Sequence, residues 1–553
     1  MRIPDTPESH ASLTRRAFLR TGAVSGAAVL GAGVAPAFAQ SAAAASDAVV
    51  PDFELEELAI ADLQARIASG QDTSLSLTES YLARIAALDK QGPALNQVLE
   101  LNGEARDEAK RLDAERRGGR VRGPLHGIPI LLKDNIAAAG PMTTTAGSLA
   151  LEGCVAPRDA FIVRRLRAAG AVILGKTNLS EWANFRGDSS TSGWSARGGL
   201  GRNPYALDRN TSGSSSGSAA ATAASYAAAA IGTETDGSIV SPSNSCGLVG
   251  IKPTLGLVSR TGIIPVAHSQ DTAGPMARTV ADAAAVLTAL AGVDEEDAVT
   301  RGAADHALDF TRFLERGGLK GARIGVPRER LFGSTTHGDR LADEAIAAMR
   351  ALGAIVIDPV TLDVPGDLWR TELEVLLYEF KADLNAFLAG LGSSTRVKTL
   401  ADVIRFNEEH AAKEMPYFGQ ELFIQAEAKG PLTEQAYLDA LATNHRLTRE
   451  LGLDKVMDEH RLDALVAPTG GPAWLTDLVN GDCSRGSASS IPAVAGYPHI
   501  TVPAGFVSGL PVGVSFIGRA WSEPVLIRLA YAFEQATKHR RPPKFLPTIA
   551  VST

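Results

Sequence analysis

Two serine-bearing glycine turns enclose a run of small residues, and no other stretch constrains the fold as tightly. From Asn210 to Pro253 the chain runs Asn-Thr-Ser-Gly-Ser-Ser-Ser-Gly-Ser, an alanine-rich segment, Gly-Thr-Glu-Thr-Asp-Gly-Ser-Ile, then Gly-Leu-Val-Gly-Ile-Lys-Pro. The first turn carries Ser212, Ser214, Ser215, Ser216 and Ser218; the second carries Ser238. Between them, Ser218 to Ala230 is almost all alanine, which predicts a closely packed helix. Hydroxyls at helix ends lie beside free backbone N–H groups, where developing negative charge can be held. The same serines also suit helix caps and loop filler. Spacing alone leaves both readings open.

With 553 residues, the chain has room for two domains or one large α/β domain with insertions. A net charge of −8 argues against a nucleic-acid or anionic-membrane footprint. The three cysteines, Cys154, Cys246 and Cys483, contain no Cys-x-x-Cys pair, so a structural zinc site is not expected. The N-terminus places Arg15-Arg16 before an apolar stretch, Thr21 to Pro36, followed by Ala37-Phe38-Ala39. This matches a twin-arginine (Tat) export signal over residues 1–39, cleaved after Ala39, with a periplasmic or secreted working place. The apolar stretch is too short and glycine-rich to span a bilayer comfortably. A flexible tether over 40–52 follows, and no later segment is apolar enough to be transmembrane. In an oxidising compartment two of the cysteines could pair, but the sequence selects no pair.

Helical spacing runs from Phe53 to Leu88, with Thr73, Ser74 and Ser76 as caps, and a charged helix covers Glu104 to Arg117. Gly127 to Asn135 predicts a buried strand that delivers Lys133 at its C-terminal end. That lysine has two readings. It can be a snorkelling surface residue, or an enclosed one whose lowered pKa makes it a base. Gly170 to Thr177 satisfies the nucleotide-binding pattern G-x-x-x-x-G-K-[ST] literally. In a true phosphate loop the strand precedes the first glycine; here the four intervening residues are the strand, so nucleotide binding is disfavoured. Lys176-Thr177 is instead expected to open a loop. Further on, Leu257 to Pro265 predicts an extended segment, Asp271 to Met276 a turn and Ala281 to Leu290 a helix. Strands are expected at Leu319–Pro327, Ala354–Val360, Ala464–Pro468, Ile500–Pro503 and Val512–Phe516. Leu368 to about Leu451 is mostly helical and gathers the aromatic residues, and a last helix runs from about Glu523 to Lys538.

These stretches resemble the amidase signature family. The matching pieces are Gly127-Ile-Pro-Ile-Leu-Leu-Lys-Asp-Asn-Ile, Gly213-Ser-Ser-Ser-Gly-Ser, Gly232-Thr-Glu-Thr-Asp-Gly-Ser-Ile, Gly247-Leu-Val-Gly-Ile-Lys-Pro-Thr, Gln270-Asp-Thr-Ala-Gly-Pro and Ala495-Gly-Tyr-Pro. The wording Thr-Glu-Thr-Asp-Gly-Ser and Leu377-Tyr-Glu-Phe-Lys-Ala-Asp-Leu is most similar to bacterial peptide amidases. The resemblance implies one amidase domain over 53–545, with its signature core at about 123–282 and a helical insertion at about 365–455. The implied fold is α/β, a large mixed twisted sheet covered by helices.

Position by position, the resemblance implies a Ser–cis-Ser–Lys triad. Ser238 is the implied nucleophile, Ser214 the bridging serine after a cis peptide from Gly213, and Lys133 the base. Backbone N–H groups of Thr235, Asp236, Gly237 and Ser238 line the implied oxyanion hole. Residue chemistry agrees, because a serine hydroxyl needs a base and no histidine falls in either turn; His126 and His268 are the nearest in sequence. A central hydroxyl can accept and donate at once, relaying a proton. No metal or organic cofactor is implied. C-terminal peptide amides lead as substrates, with small aryl or alkyl amides as the alternative. Glutamine-using members place an arginine two residues after the nucleophile. Here Val240 stands there, which predicts a neutral or apolar group beside the scissile amide.

Overall fold

The computed structural model describes residues 50–549. The expected signal segment 1–39, its cleavage site and most of the tether lie outside the described residues. Within them, eleven strands form one sheet. In chain order these are β1 (Val98–Leu101), β2 (Pro129–Lys133), β3 (Val172–Thr177), β4 (Ala229–Glu234), β5 (Val249–Lys252) and β6 (Thr272–Ala277). They continue with β7 (Arg323–Gly325), β8 (Ile355–Ile357), β9 (Ala464–Pro468), β10 (His499–Val507) and β11 (Leu510–Ile517). Their spatial order is β1-β3-β2-β4-β6-β5-β10-β11-β9-β7-β8. The sheet is mixed: β2 runs parallel to β3 and β4, whereas β6 is antiparallel to β4 and β5. This is the large α/β fold expected from the sequence.

Every residue of β2, β3 and β4 is buried. Strands covered on both faces carry continuous apolar runs, and a polar group at such a strand's end lies at the sheet's rim, where α/β folds place chemistry. Lys133 is the last residue of β2 and Thr233-Glu234 ends the neighbouring β4.

Four local expectations are corrected. The alanine run is not one helix: it is helical over Ser216–Ala223, turns at Ser225 (φ 58°), and becomes strand β4. Alanine's helix preference, below 1 kcal/mol per residue, yields to strand pairing on both sides. The expected turn at 271–276 is strand β6 instead. Gly274 belongs there because a Cβ would come within 2.0 Å of the Ile251 carbonyl. Lys176 and Thr177 do not open a loop; they complete β3, with Gly175 inside the strand. No phosphate-cradling loop exists at this position, which removes the nucleotide-binding alternative. Residues 257–265 also form no strand; Ile263 makes only an isolated bridge to Ile136.

Helices Leu368–Gly390, Leu400–Glu409, Glu421–Glu427 and Gln435–His445 fill the expected helical region. Phe380 stacks on Phe423 and packs against Phe185 of the signature core, and Phe423 meets Trp182 edge-on. Burying each such ring stabilises the junction by about 1.5–3 kcal/mol. Among the described residues no helix is long and apolar enough to cross a membrane. All three cysteines are free; Cys154 and Cys246 are buried and Cys483 is exposed.

Candidate active site

The two serine turns converge on the end of β2. Lys133 is fully buried, and its Nζ lies 2.7 Å from Ser214 Oγ, 2.9 Å from Thr233 Oγ1 and 3.2 Å from the Thr233 carbonyl. Of its two sequence readings, the enclosed one holds. Burial pushes its pKa down to about 7, against an upward pull from Asp271 and Glu234. An amine with this value is substantially neutral at physiological pH and can accept a proton. Asn135, two residues on, donates to Thr233 Oγ1 at 2.9 Å and holds that hydroxyl against the lysine.

The peptide bond entering Ser214 from Gly213 is cis. Ser215 and Ser218 of this turn are structural. Ser215 Oγ donates to the Thr233 carbonyl at 3.0 Å and accepts from its N–H at 3.2 Å, stitching the turn to β4. Ser218 Oγ donates to the Ile231 carbonyl at 3.0 Å. Gly217 lets the Asn178 backbone approach, since a Cβ there would sit 2.4 Å from its carbonyl oxygen. These two serines therefore stitch the turn to its neighbouring strand, although Ser215, the N-cap of helix Ser216–Ala223, makes no side-chain cap bond; Ser214 faces the lysine.

The second turn follows β4. Gly237 takes φ 74°, a left-handed conformation that glycine adopts at no steric cost. Ser238, which comes next, is 7% exposed. Glu234 accepts from the N–H groups of Ile239 (2.7 Å) and Val240 (3.0 Å), anchoring the start of helix Val240–Ser245. By contrast, the N–H groups of Asp236, Gly237 and Ser238 donate to no protein acceptor among the described residues. Three free donors in one tight turn form a concavity suited to an anion. Ser215 N–H donates to the Ser238 carbonyl at 3.2 Å and ties the two turns together. No hydrogen bond joins Ser214 Oγ to Ser238 Oγ.

Two cavities reach these turns. The larger, about 470 Å³, is lined by Ser214, Thr233, Thr235, Ile264, Asp271 and Phe387 among others. The smaller, about 230 Å³, touches Ser212, Gly213, Asp236, Gly237 and Ser241, and carries Arg485 at its wall. Val240 is fully buried and lines neither, so it offers the substrate no group at all.

His126 lies apart, its ring bonded to the Leu112 carbonyl. His268 lines the larger cavity, but its ring nitrogens are engaged by Asp383 at 2.8 Å and Glu379 at 3.4 Å. It is therefore not free to serve as a general base. Those three side chains offer ligand atoms within 4.8 Å of one another. Each already has protein partners, with Tyr437 also donating to Glu379.

A family model described as Amidase matches residues 76–527. This chain belongs to the amidase family. Native peptide amidase from Stenotrophomonas maltophilia shares 53% identity with it, covering 89% of this chain and all of that one, with a TM-score of 0.86. A peptide amidase solved with the competitive inhibitor chymostatin is 54% identical, with the same coverage and TM-score. An Arabidopsis thaliana protein named as a probable amidase is 43% identical over 504 residues, covering 89% of this chain and 93% of its own. The chain is thus an amidase hydrolase, and its sheet is the amidase signature fold.

Sequence reasoning missed several members of this amidase's site. In the sequence Glu234, Thr233 and Asp271 stand only inside motifs, yet Glu234 anchors helix Val240–Ser245 and Asp271 accepts from Thr235 Oγ1 at 2.6 Å. Their acidic and hydroxyl groups inside an otherwise apolar, glycine-rich stretch were the available signal.

Proposed function

We propose that this amidase hydrolyses carboxamides to carboxylate and ammonia through Lys133, Ser214 and Ser238, with C-terminal peptide amides as its substrates. The observation that carries this reading is the buried Lys133 amine, 2.7 Å from Ser214 Oγ, beside a turn with three unclaimed N–H donors. The neutral amine accepts the Ser214 proton as Ser214 takes the Ser238 proton. The Ser214–Ser238 link closes when substrate is bound; catalytic hydrogen bonds commonly tighten only then. Ser238 Oγ attacks the amide carbonyl, whose oxygen gains negative charge among the N–H groups of Thr235, Asp236, Gly237 and Ser238. Each such donor is worth about 10²–10³ in rate. The proton returns through Ser214 to the departing nitrogen, ammonia leaves, and water repeats the sequence on the acyl-enzyme.

The larger cavity favours peptides over simple alkyl amides. Its volume of about 470 Å³ lies in the range that encloses a drug-sized ligand. Ile264, Val266 and Phe387 offer apolar wall, while Thr261, His268 and Asp383 offer polar groups for a peptide backbone. The 52–54% identity to peptide amidase structures supports the same choice. Export by the twin-arginine route rests on Arg15-Arg16 and Ala37-Phe38-Ala39, and N-terminal sequencing of the exported protein should begin at Gln40. For the chemistry, ammonia release should be measured over peptide amides, aryl amides, alkyl amides and glutamine. Ser238→Ala should abolish release while keeping the wild-type melting curve; retained activity removes Ser238 as nucleophile. A preference for aryl or alkyl amides over peptide amides overturns the substrate assignment.

A further inference from the structure

The helix Leu368–Gly390 does two things at once. Ala386 and Phe387 at one end line the larger cavity, together with Asp383. Near the other end, Glu372 is buried and its carboxyl hydrogen-bonds the carboxyl of Asp236, in the middle of the donor turn. Positions 372, 379, 383, 386 and 387 fall at helical spacing, so one face of the helix carries them all.

The surroundings of this carboxyl pair are specific. Gln270 Nε2 donates to Glu372 Oε1 at 3.0 Å and to the Thr235 carbonyl at 3.2 Å, so one amide spans helix and turn. On its other side Asp236 accepts from Ser489 Oγ and, at 2.7 Å, from Ser490 Oγ. The cation whose field reaches Asp236 is Lys252 of β5. It makes no ion pair within the described residues, and Glu234 and Glu523 compete with Asp236 for its field. Among the described residues no cation acts on Glu372. Two carboxyl groups in contact, with no cation touching either, cannot both ionise at ordinary pH. Burial, and then the Asp236 charge, push the Glu372 pKa well up.

We propose that Asp236 and Glu372 share one proton and act as positioning residues for the donor turn, joining the wall of the acyl cavity to the N–H groups that hold the oxyanion. This rests on the Ser238 reading above. The shared proton leaves one negative charge where two would oppose an oxyanion forming on the same turn. It also makes a continuous hydrogen-bonded path from Ser489 and Ser490, through Asp236 and Glu372, to Gln270 and back to Thr235.

The test measures kcat, KM and the pH profile of ammonia release from a peptide amide, using the full mature protein. Glu372→Ala removes both contacts and should lower kcat about 10–100-fold, part of what oxyanion donors supply, with KM within about threefold. Glu372→Gln keeps a donor towards Asp236 and an acceptor for Gln270, but has no proton to lose. It should restore kcat to within about threefold of wild type, as expected when a hydrogen bond is kept. Its alkaline limb should stay flat where the wild type falls. Wild-type kcat in Glu372→Ala overturns the proposal. So does a slow Glu372→Gln with a native melting curve, or an alkaline limb that Glu372→Gln does not move. If Glu372→Ala fails to fold, the Glu372→Gln measurements decide alone. Ser238→Ala run in parallel separates the two readings: residual activity there overturns the serine mechanism, whereas an inactive Ser238→Ala beside a normal Glu372→Ala overturns only the shared proton.

Discussion

Lys133 and Lys176 sit at the ends of adjacent parallel strands, both fully buried, one register step apart. Their environments differ in one respect. Lys176 has a carboxylate, Asp134, at 3.4 Å, and donates to Thr144 Oγ1 at 3.0 Å and the Thr143 carbonyl at 3.1 Å. Lys133 meets only hydroxyl and carbonyl oxygens. Burial pushes both pKa values down. Only Lys176 has a negative partner in contact that rewards the charged form. On the mechanism proposed above, the pair teaches that enclosure alone does not make a base; the absence of a touching carboxylate does.

The largest expected effect breaks this comparison outright. Lys133→Ala should cost about 10²–10⁴-fold in kcat, the usual worth of a general base, with little change in melting temperature. A loss under about tenfold, in a folded protein, would show that the two lysines are alike. Lys176→Ala should do the reverse. Removing it leaves buried Asp134 with Arg197, at 3.6 Å, as its remaining cation, and should cost up to about 3 kcal/mol of stability. The melting temperature should fall clearly while kcat per folded molecule stays near wild type.

A pH profile sharpens the contrast. The Lys133 value of about 7 lies below the ordinary 10.5, so the free base predominates above about 7 and the ammonium below it. Then kcat/KM should rise with pH through about 7, ahead of the alkaline fall expected when the proton shared by Asp236 and Glu372 is lost. Lys133→Arg is the control, since a guanidinium stays charged, and it should remain inactive at every pH. The smallest effect is Thr233→Val. It removes one hydroxyl partner of the lysine, worth about 0.5–1.5 kcal/mol or roughly 2–10-fold in rate, and rates unchanged by it would leave the hydroxyl no part in holding Nζ.

The residues that meet at the sheet's rim were legible because they belong to short, contiguous motifs. Lys133, Ser214 and the Thr235–Ser238 turn are each fixed by the few residues around them. Strand and helix assignments failed where tertiary pairing overruled local preference, as in the alanine run that becomes β4 and the Gly274-Pro275 segment that becomes β6. Glu372 was illegible for another reason. It lies 136 residues beyond Asp236, in a helix most of whose other charged residues pair with distant segments, Glu374 with Lys429, Lys381 with Glu427, and Glu379 and Asp383 with His268. Nothing near it in sequence marks it as reaching the site. His268 was conspicuous in sequence, yet Asp383 and Glu379 of that same helix claim it.

Because one helix supplies both a cavity wall and a brace for the turn, residues 365–455 cannot be exchanged without touching both. A chimera that exchanges this region for another family member's would change which acyl groups fit at Phe387. Such a graft should keep its turnover only if the incoming segment brings a carboxyl or amide side chain to the place of Glu372, opposite Gln270.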